Sequence, residues 1–334
     1  MSPPADPPLF DLFGQPIASP QPAGGPVRPA PVPVALREMA ARLPGEIRLG
    51  TSSWSFPGWD GLVYAGRHAE SKLAREGLGA YAAHPLLRTV SLDRTFYAPL
   101  GERDYADYAN RVPPGFRFIV KAPMAITSSE LRDDRGRYTP SPYHFDAAYA
   151  TDQFIAPAVA GLSDHCGPLV FQFPPQGRDV TVRPDPFINR LYRFLTSLPP
   201  GLSYAVELRD PQLLTTRFFQ CLAASECAFC VASHARMPTP AEQIDRMQVF
   251  LPHQPLIVRW SLHAGYKYED AKARYFPFDR LVDEDHDSRV ALAVAAARAA
   301  KAGRAAYIAV NNKAEGSAPL SVEKLAAAIV ASVA

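Results

Sequence analysis

The chain has little that would tie it to a membrane, a disulfide framework or a nucleotide. No run in its 334 residues approaches the roughly 18 apolar residues of a membrane span. The first thirty residues lack a basic start and an apolar core, so no secretory signal is expected. Cysteine is scarce, with four thiols at 166, 221, 227 and 230. Cys227 and Cys230 have CxxC spacing, but a zinc site would need a second pair. Their setting, Glu226-Cys227-Ala228-Phe229-Cys230-Val231, reads as a buried strand. Reduced structural thiols are therefore expected ahead of a redox or metal role, and a reducing, cytoplasmic location with them. Charge of one sign is also missing. The 35 basic and 33 acidic residues leave +2, which argues against a polycation wrapped on nucleic acid and leaves only a local basic groove open.

What is present is apolar material and rhythm. Hydrophobic residues make up 47% of the chain, enough for a large core. From residue 46 the pattern runs strand, helix, strand. Strands are predicted at 46–51, 87–93, 116–121, 167–173, 203–208, 228–232, 256–260 and 305–310. Helical stretches lie near 69–83, 101–111, 146–164, 185–197, 211–225, 287–302 and 320–333, with a weak one near 240–249. The strands are mostly apolar, as expected where both faces of a parallel sheet are covered. Eight such units point to an α/β TIM barrel over 46–334. A doubly wound open sheet is the alternative. It would usually carry a Gly-rich first turn, and here strand one runs into Thr51-Ser52-Ser53-Trp54 with no G-x-G-x-x-G.

Residues 1–45 hold twelve of the 35 prolines and few charges. Such a stretch buries too little surface to offset its ordering entropy, so a disordered or extended tail is expected, with a short helix over 34–43. One apolar island, Leu9-Phe10-Asp11-Leu12-Phe13, is similar to the peptide with which bacterial replication and repair proteins dock on the sliding clamp. The leading glutamine of that motif is missing. A local hydrophobic cluster, or docking of the tail on its own barrel, is the simpler reading.

Candidate chemistry collects at strand ends, where active sites of α/β barrels sit. Phe116-Arg117-Phe118-Ile119-Val120-Lys121-Ala122-Pro123 reads as a strand stopped by Pro123, with Lys121 at its carboxyl end. Glu207 and Arg209 share one face of the fifth strand, because strand side chains alternate. Convergence at one mouth would bring together Ser53, Trp54, Asp93, Lys121, Gln172, Glu207, Arg209, His234, His263, Asn311 and Asn312. Desolvation lowers the proton affinity of such a lysine and a nearby carboxylate restores it. Lys121 could serve as base, Schiff-base amine or fixed cation, with Glu207 as general acid or base. The structural alternative is a Lys121–Glu207 ion pair. Arg209 could grip a carboxylate or phosphate, or pair with Asp210 or Glu207. Asn311 and Asn312 could hold an anion or simply form a turn. Trp54, in a loop rich in aromatics, could stack on a sugar or base, or the loop could pack shut. Asp93, Glu207, His234 and His263 are ligand types for a divalent metal, though without ligand spacing; no cofactor is expected. Tyr266 to Tyr275 mixes aromatics with both charge signs and reads as a flap or a solvated helix.

Several segments together resemble the YecE-like family, domain of unknown function 72. They are Leu49-Gly50-Thr51-Ser52-Ser53-Trp54-Ser55-Phe56-Pro57-Gly58-Trp59, Thr95-Phe96-Tyr97, the Lys121 strand, Gly167-Pro168-Leu169-Val170-Phe171-Gln172-Phe173-Pro174-Pro175, Val206-Glu207-Leu208-Arg209, and Asn311-Asn312-Lys313 with Gly316 and Ala318. The resemblance spans roughly 46–326 and implies a TIM barrel without implying an activity. The chain departs from the family pattern at Ser91 and Asp93, at Asp210 and Leu213, and in the run Arg259-Trp260-Ser261-Leu262-His263, as a divergent branch would.

Two functional classes follow. The first is a cytoplasmic enzyme (hydrolase, lyase or isomerase, with no nucleotide cofactor) acting on a small anionic or sugar-containing molecule; no G-x-S-x-G elbow supports a serine hydrolase. The second is a nucleic-acid-associated barrel recruited through the clamp-like motif. No membrane partner is expected.

Overall fold

The computed structural model describes residues 25–132, 136–234, 236–263 and 265–333. Eight parallel strands close into a barrel: β1 (Ile47–Thr51), β2 (Leu87–Leu92), β3 (Arg117–Lys121), β4 (Cys166–Phe173), β5 (Tyr204–Leu208), β6 (Ala228–Ser233), β7 (Leu256–Trp260) and β8 (Ala306–Val310). Each pairs with its neighbours in sequence, and β1 closes the ring against β8 in the register Ile47↔Ala306 to Thr51↔Val310. The closed ring rules out the open-sheet alternative. Every predicted strand lies within about two residues of an observed one, because each is a short apolar run bounded by turn residues.

Strand alternation builds two cores. One face of each strand points into the lumen, where Ile119, Val170, Ala205, Ala228, Cys230, Ile257, Tyr307 and Ala309 form a compact plug. The other face, with residues such as Phe118, Phe171, Val206, Phe229, Val258 and Ile308, packs under the helices. Beta1 approaches β2 very closely at Gly50, where any Cβ would fall 1.8 Å from the Thr89 carbonyl oxygen. Only glycine fits that approach.

Helices follow the strands. Pro240–Phe250, the faintest in the sequence, is set by a capping box: Thr239 Oγ1 accepts the Glu242 N–H and the Glu242 carboxylate accepts the Thr239 N–H. The stretch near 146–164 is not one continuous helix. It runs as Ala147–Ala150, a wider π turn over Thr151–Ile155, and Ala156–Leu162, because Pro157 cannot donate to the ladder. A small antiparallel hairpin, Glu130–Arg132 with Tyr138–Pro140, follows β3 and has no clear mark in the sequence. Among the described residues no helix is long and apolar enough to cross a membrane.

The expected tail divides in two. Residues 1–24, with the clamp-like Leu9–Phe13 island, lie outside the described residues. Residues 25–45 belong to the barrel. The Ala30 N–H donates to the Val63 carbonyl at 2.9 Å, and the Ala65 N–H to the Arg28 carbonyl at 2.9 Å. The helix Val34–Arg42 forms where one was expected. Leu36, Ala40 and Leu43 fall on one stripe and are buried, which gives this stretch the apolar contact that its proline content hides. Its last carbonyls are capped by Arg88, whose guanidinium donates to Ala40 O (2.6 Å), Pro44 O (3.3 Å) and Leu43 O (3.4 Å).

Candidate functional site at the barrel mouth

The layer above the luminal plug is charged. Arg259 follows Ile257 on the inner face of β7 and reaches across the mouth. Its Nη1 donates to Glu207 Oε2 at 2.9 Å and to Gln172 Oε1 at 3.4 Å, and its Nη2 donates to Asp93 Oδ2 at 2.8 Å. Arg209 pairs with the other oxygen of Glu207. Ser91 Oγ donates to Asp93 Oδ1 at 2.7 Å. Asp210 turns away and accepts the Gln176 N–H at 2.6 Å, so Arg209 takes Glu207 as its partner.

Lys121 sits beside this network without entering it. Its residue surface is 8% exposed, and its Nζ lies 3.4 Å from the centroid of the Phe96 ring. Thr95 Oγ1 donates to the Lys121 carbonyl and anchors the strand end. Among the described residues no carboxylate is in ion-pair contact with the ammonium, so the direct Lys121–Glu207 pair offered as the structural alternative does not form. Burial, then the Arg259 charge, lowers the Lys121 pKa from 10.5 to about 8, although Asp93 and Glu207 pull it upward. The Glu207 pKa is also lowered, but here it is the charged form that gains. Burial opposes its charge, but Arg209 and Arg259 outweigh burial and hold its pKa at about 2. It is a fixed anion at neutral pH, which suits a positioning group better than a proton donor.

Three cations, Lys121, Arg209 and Arg259, face two carboxylates, Asp93 and Glu207, leaving one positive charge over. The network also keeps unfilled donors. Among the described residues Arg209 Nη1 and Arg259 Nε are buried with no hydrogen-bond partner, and so is His234 Nδ1, a donor or an acceptor according to its tautomer. Burial and the Arg209 charge lower the His234 pKa, which disfavours the protonated ring. Lone buried donors of this kind mark places where a water or a ligand oxygen would sit.

The other predicted residues have separate employment. Asn312 is buried, and its Oδ1 accepts Trp59 Nε1 at 3.2 Å and the Ala318 N–H at 2.8 Å, joining the first loop to the last helix. Asn311 Nδ2 donates to Ser52 Oγ at 2.6 Å, while its Oδ1 accepts the Lys313 N–H at 3.0 Å. Trp54 Nε1 donates to Leu73 O at 3.1 Å, its ring meets Tyr108 edge-on, and the Tyr64 hydroxyl donates to its carbonyl. Ser53 Oγ lies 3.2 Å from Ser55 Oγ. The aromatic loop is thus packed against the barrel, and among the described residues no hydrogen bond or ion pair joins it to the charged layer. His263 Nε2 and Nδ1 belong to a ring set edge-on to Tyr266, near the Tyr268–Tyr275 helix.

Among the described residues no three of His, Cys, Asp and Glu come together to hold a metal, and Asp93 and Glu207 are separated by the Arg259 fork. The CxxC thiols are free, and their odd spacing sends them to opposite faces of the strand. Cys230 lies in the lumen under Glu207, at 3.8 Å from Oε2, with its pKa raised by burial. Two open grooves occur elsewhere, on either side of the helix Pro240–Phe250. They belong to the outer helical layer and carry only Asp245, Arg246 and Arg298 as charges.

Arg259 is the member of the site that the sequence reading passed over. The signal was a single charge inside the otherwise apolar strand Leu256-Ile257-Val258-Arg259-Trp260. Parity with luminal Ile257 aims it inward.

A closed parallel barrel with its first loop, its Lys121 strand and its Glu207/Arg209 strand in this order invites comparison with known families. The family described as protein of unknown function DUF72 matches residues 48–333. The chain belongs to the DUF72 family. Two solved DUF72 family proteins share the fold of this DUF72 barrel. One is from Enterococcus faecalis V583, with 18% identity, a TM-score of 0.57, and 85% of this chain and 95% of that one covered. The other is from Thermotoga maritima MSB8, with 20% identity, a TM-score of 0.55, and 84% and 97% covered. No curated protein matches. Within this DUF72 barrel the two departures on β2 and its end, Ser91 and Asp93, hydrogen-bond each other, and Asp93 takes Arg259.

Proposed function

We propose that this DUF72 barrel is a cytoplasmic enzyme whose mouth binds a small anionic molecule, either free or carried on a sugar. The reading rests on one observation: at the mouth Arg209 Nη1 has no hydrogen-bond partner among the described residues, and the Lys121 ammonium lies over the Phe96 ring outside the ion-pair network. In this reading Arg209 takes the anion with its planar fork. Glu207 and Arg259 hold Arg209 in place, Gln172 and Asp93 shape the wall, and Lys121 is the group that exchanges a proton near neutral pH. The four free thiols fit a reducing compartment. The anionic probe is inorganic phosphate, with malonate as a dicarboxylate, titrated by calorimetry between pH 6.5 and 9.5. Binding should weaken as pH rises through about 8, because Lys121 then loses its charge. Arg209→Met should weaken it roughly 10-fold or more, since a charged hydrogen bond contributes about 1.5–3 kcal/mol. Absence of heat with both probes at millimolar concentration, or affinity untouched by Arg209→Met, would overturn the reading in favour of a purely structural ion network.

A further inference from the structure

We propose that Lys121 is a Schiff-base amine and that the mouth accepts a 2-oxo acid, whose carboxylate goes to Arg209 while its carbonyl carbon meets Lys121 Nζ. This deepens the anion-binding reading above and rests on it.

Three features separate a carbonyl-trapping lysine from a lysine kept only for its charge. First, Nζ has no hydrogen bond or ion pair among the described residues, although three carboxylate and amide groups stand in the same layer and engage Arg259 instead. A lysine whose task was to balance charge would be in that network. Second, its base is fixed. Thr95 anchors the Lys121 carbonyl, Pro123 ends the strand, and the Phe96 ring covers one side of Nζ at 3.4 Å. The approach left to a substrate is from the mouth, where Arg209 is 11% and Asp93 36% exposed at the side chain. Third, two guanidiniums in the same layer make a third cation costly, so the free amine is accessible close to neutral pH. The unfilled Arg209 Nη1 supplies the carboxylate partner that distinguishes a 2-oxo acid from a plain aldehyde or ketone.

The step balances without a further reagent. The ammonium gives up one proton, and the Nζ lone pair attacks the carbonyl carbon while the carbonyl π pair moves to oxygen. The oxygen collects that proton and a second one from nitrogen and leaves as water. Ammonium plus carbonyl thus becomes protonated iminium plus water, with no net change in protons or electrons. Asp93, the carboxylate of this layer whose side chain keeps solvent contact, is the group assigned to relay those protons.

The test uses the full chain with pyruvate, and separately glyoxylate, followed by sodium borohydride. The hydride reduces the iminium to a stable secondary amine, read by intact mass and then by peptide mapping. The expected result is a borohydride-dependent adduct on the peptide carrying Lys121, formed faster as pH rises from about 7 toward about 9, and at least about 10-fold reduced in Lys121→Met and in Arg209→Met. No adduct with either acid, or modification of other lysines with Lys121 untouched, overturns the proposal. Phosphate binding is measured on the same sample. Phosphate binding without an adduct removes the Schiff base and leaves the anion site standing, whereas loss of both removes the site.

Discussion

Arg259 sets the electrostatics of the mouth. One guanidinium spans Asp93 and Glu207, and a second, Arg209, holds the remaining oxygen of Glu207. Removing one partner of a buried network strands the others, at about 3–5 kcal/mol. Glu207→Gln should therefore lower the stability in urea by about that amount, and a loss under about 1 kcal/mol would mean that the arginines find other acceptors. The same carboxylate makes the fold acid-sensitive. Its folded pKa of about 2 lies below its ordinary 4.5, so its contribution is complete above pH 4.5 and is lost as pH falls toward about 2. In Glu207→Gln this window should flatten, which urea midpoints between pH 5 and pH 2.5 would reveal, each pH being roughly inside the linkage range.

Lys121 has the same slope with pH but the opposite effect at neutral pH, where its charge costs stability. Its folded pKa of about 8 is below the ordinary 10.5. Between those values the unfolded chain binds a proton that the folded chain does not, so stability rises with pH across the window. Below about pH 8 the fold carries the full cost of the buried charge, on the order of 3 kcal/mol. Lys121→Met should accordingly melt a few degrees higher than the parent at pH 7, with the advantage gone above pH 10.5. A lower melting temperature at pH 7 would show that the Phe96 contact outweighs desolvation. That Lys121 and Glu207 both lie on strands lining the barrel was legible from the sequence. That Glu207 would be taken by Arg259 was not, because that guanidinium comes from a strand whose apolar neighbours masked its one charge.

At the scale of elements, legibility followed burial. All eight strands could be read because each is an apolar run with turn residues at its ends. The helix Pro240–Phe250 was faint because its stripe is weak, yet Thr239-Pro240 with Glu242 three residues past the cap is a start signal in its own right. The last loop was ambiguous for a different reason. Asparagine suits both turns and ligands, and only tertiary contacts show Asn312 joining Trp59 to the helix Ala318–Val333. Asn312→Ala would orphan the indole N–H and the first helical N–H inside the protein, each at about 1–3 kcal/mol. The expected loss is at least about 2 kcal/mol, with hydrogen exchange accelerated in both the 54–59 loop and the start of the last helix. Exchange that rises in only one of the two would show that Asn312 does not couple them.

For the whole molecule, the lesson lies where the barrel begins. Proline density made residues 25–45 resemble an extended tail, because composition counts apolar residues without regard to their spacing. Leu36, Ala40 and Leu43 are few, but they share one stripe and all three are buried. Arg88 then ties the end of that helix to β2 through three carbonyls. A chain beginning at Glu46 would expose the patch those residues cover and leave the half-buried Arg88 with only its Pro85 carbonyl acceptor of the four. Two leucines alone represent about 3–6 kcal/mol of burial, a large share of the roughly 5–15 kcal/mol that holds a folded domain. Compared with a chain beginning at Gly25, it should melt at least several degrees lower and expose new apolar surface to a hydrophobic dye. Equal melting temperatures would mean that the helix Val34–Arg42 rests on the barrel without supporting it, and that the cooperative unit starts at β1.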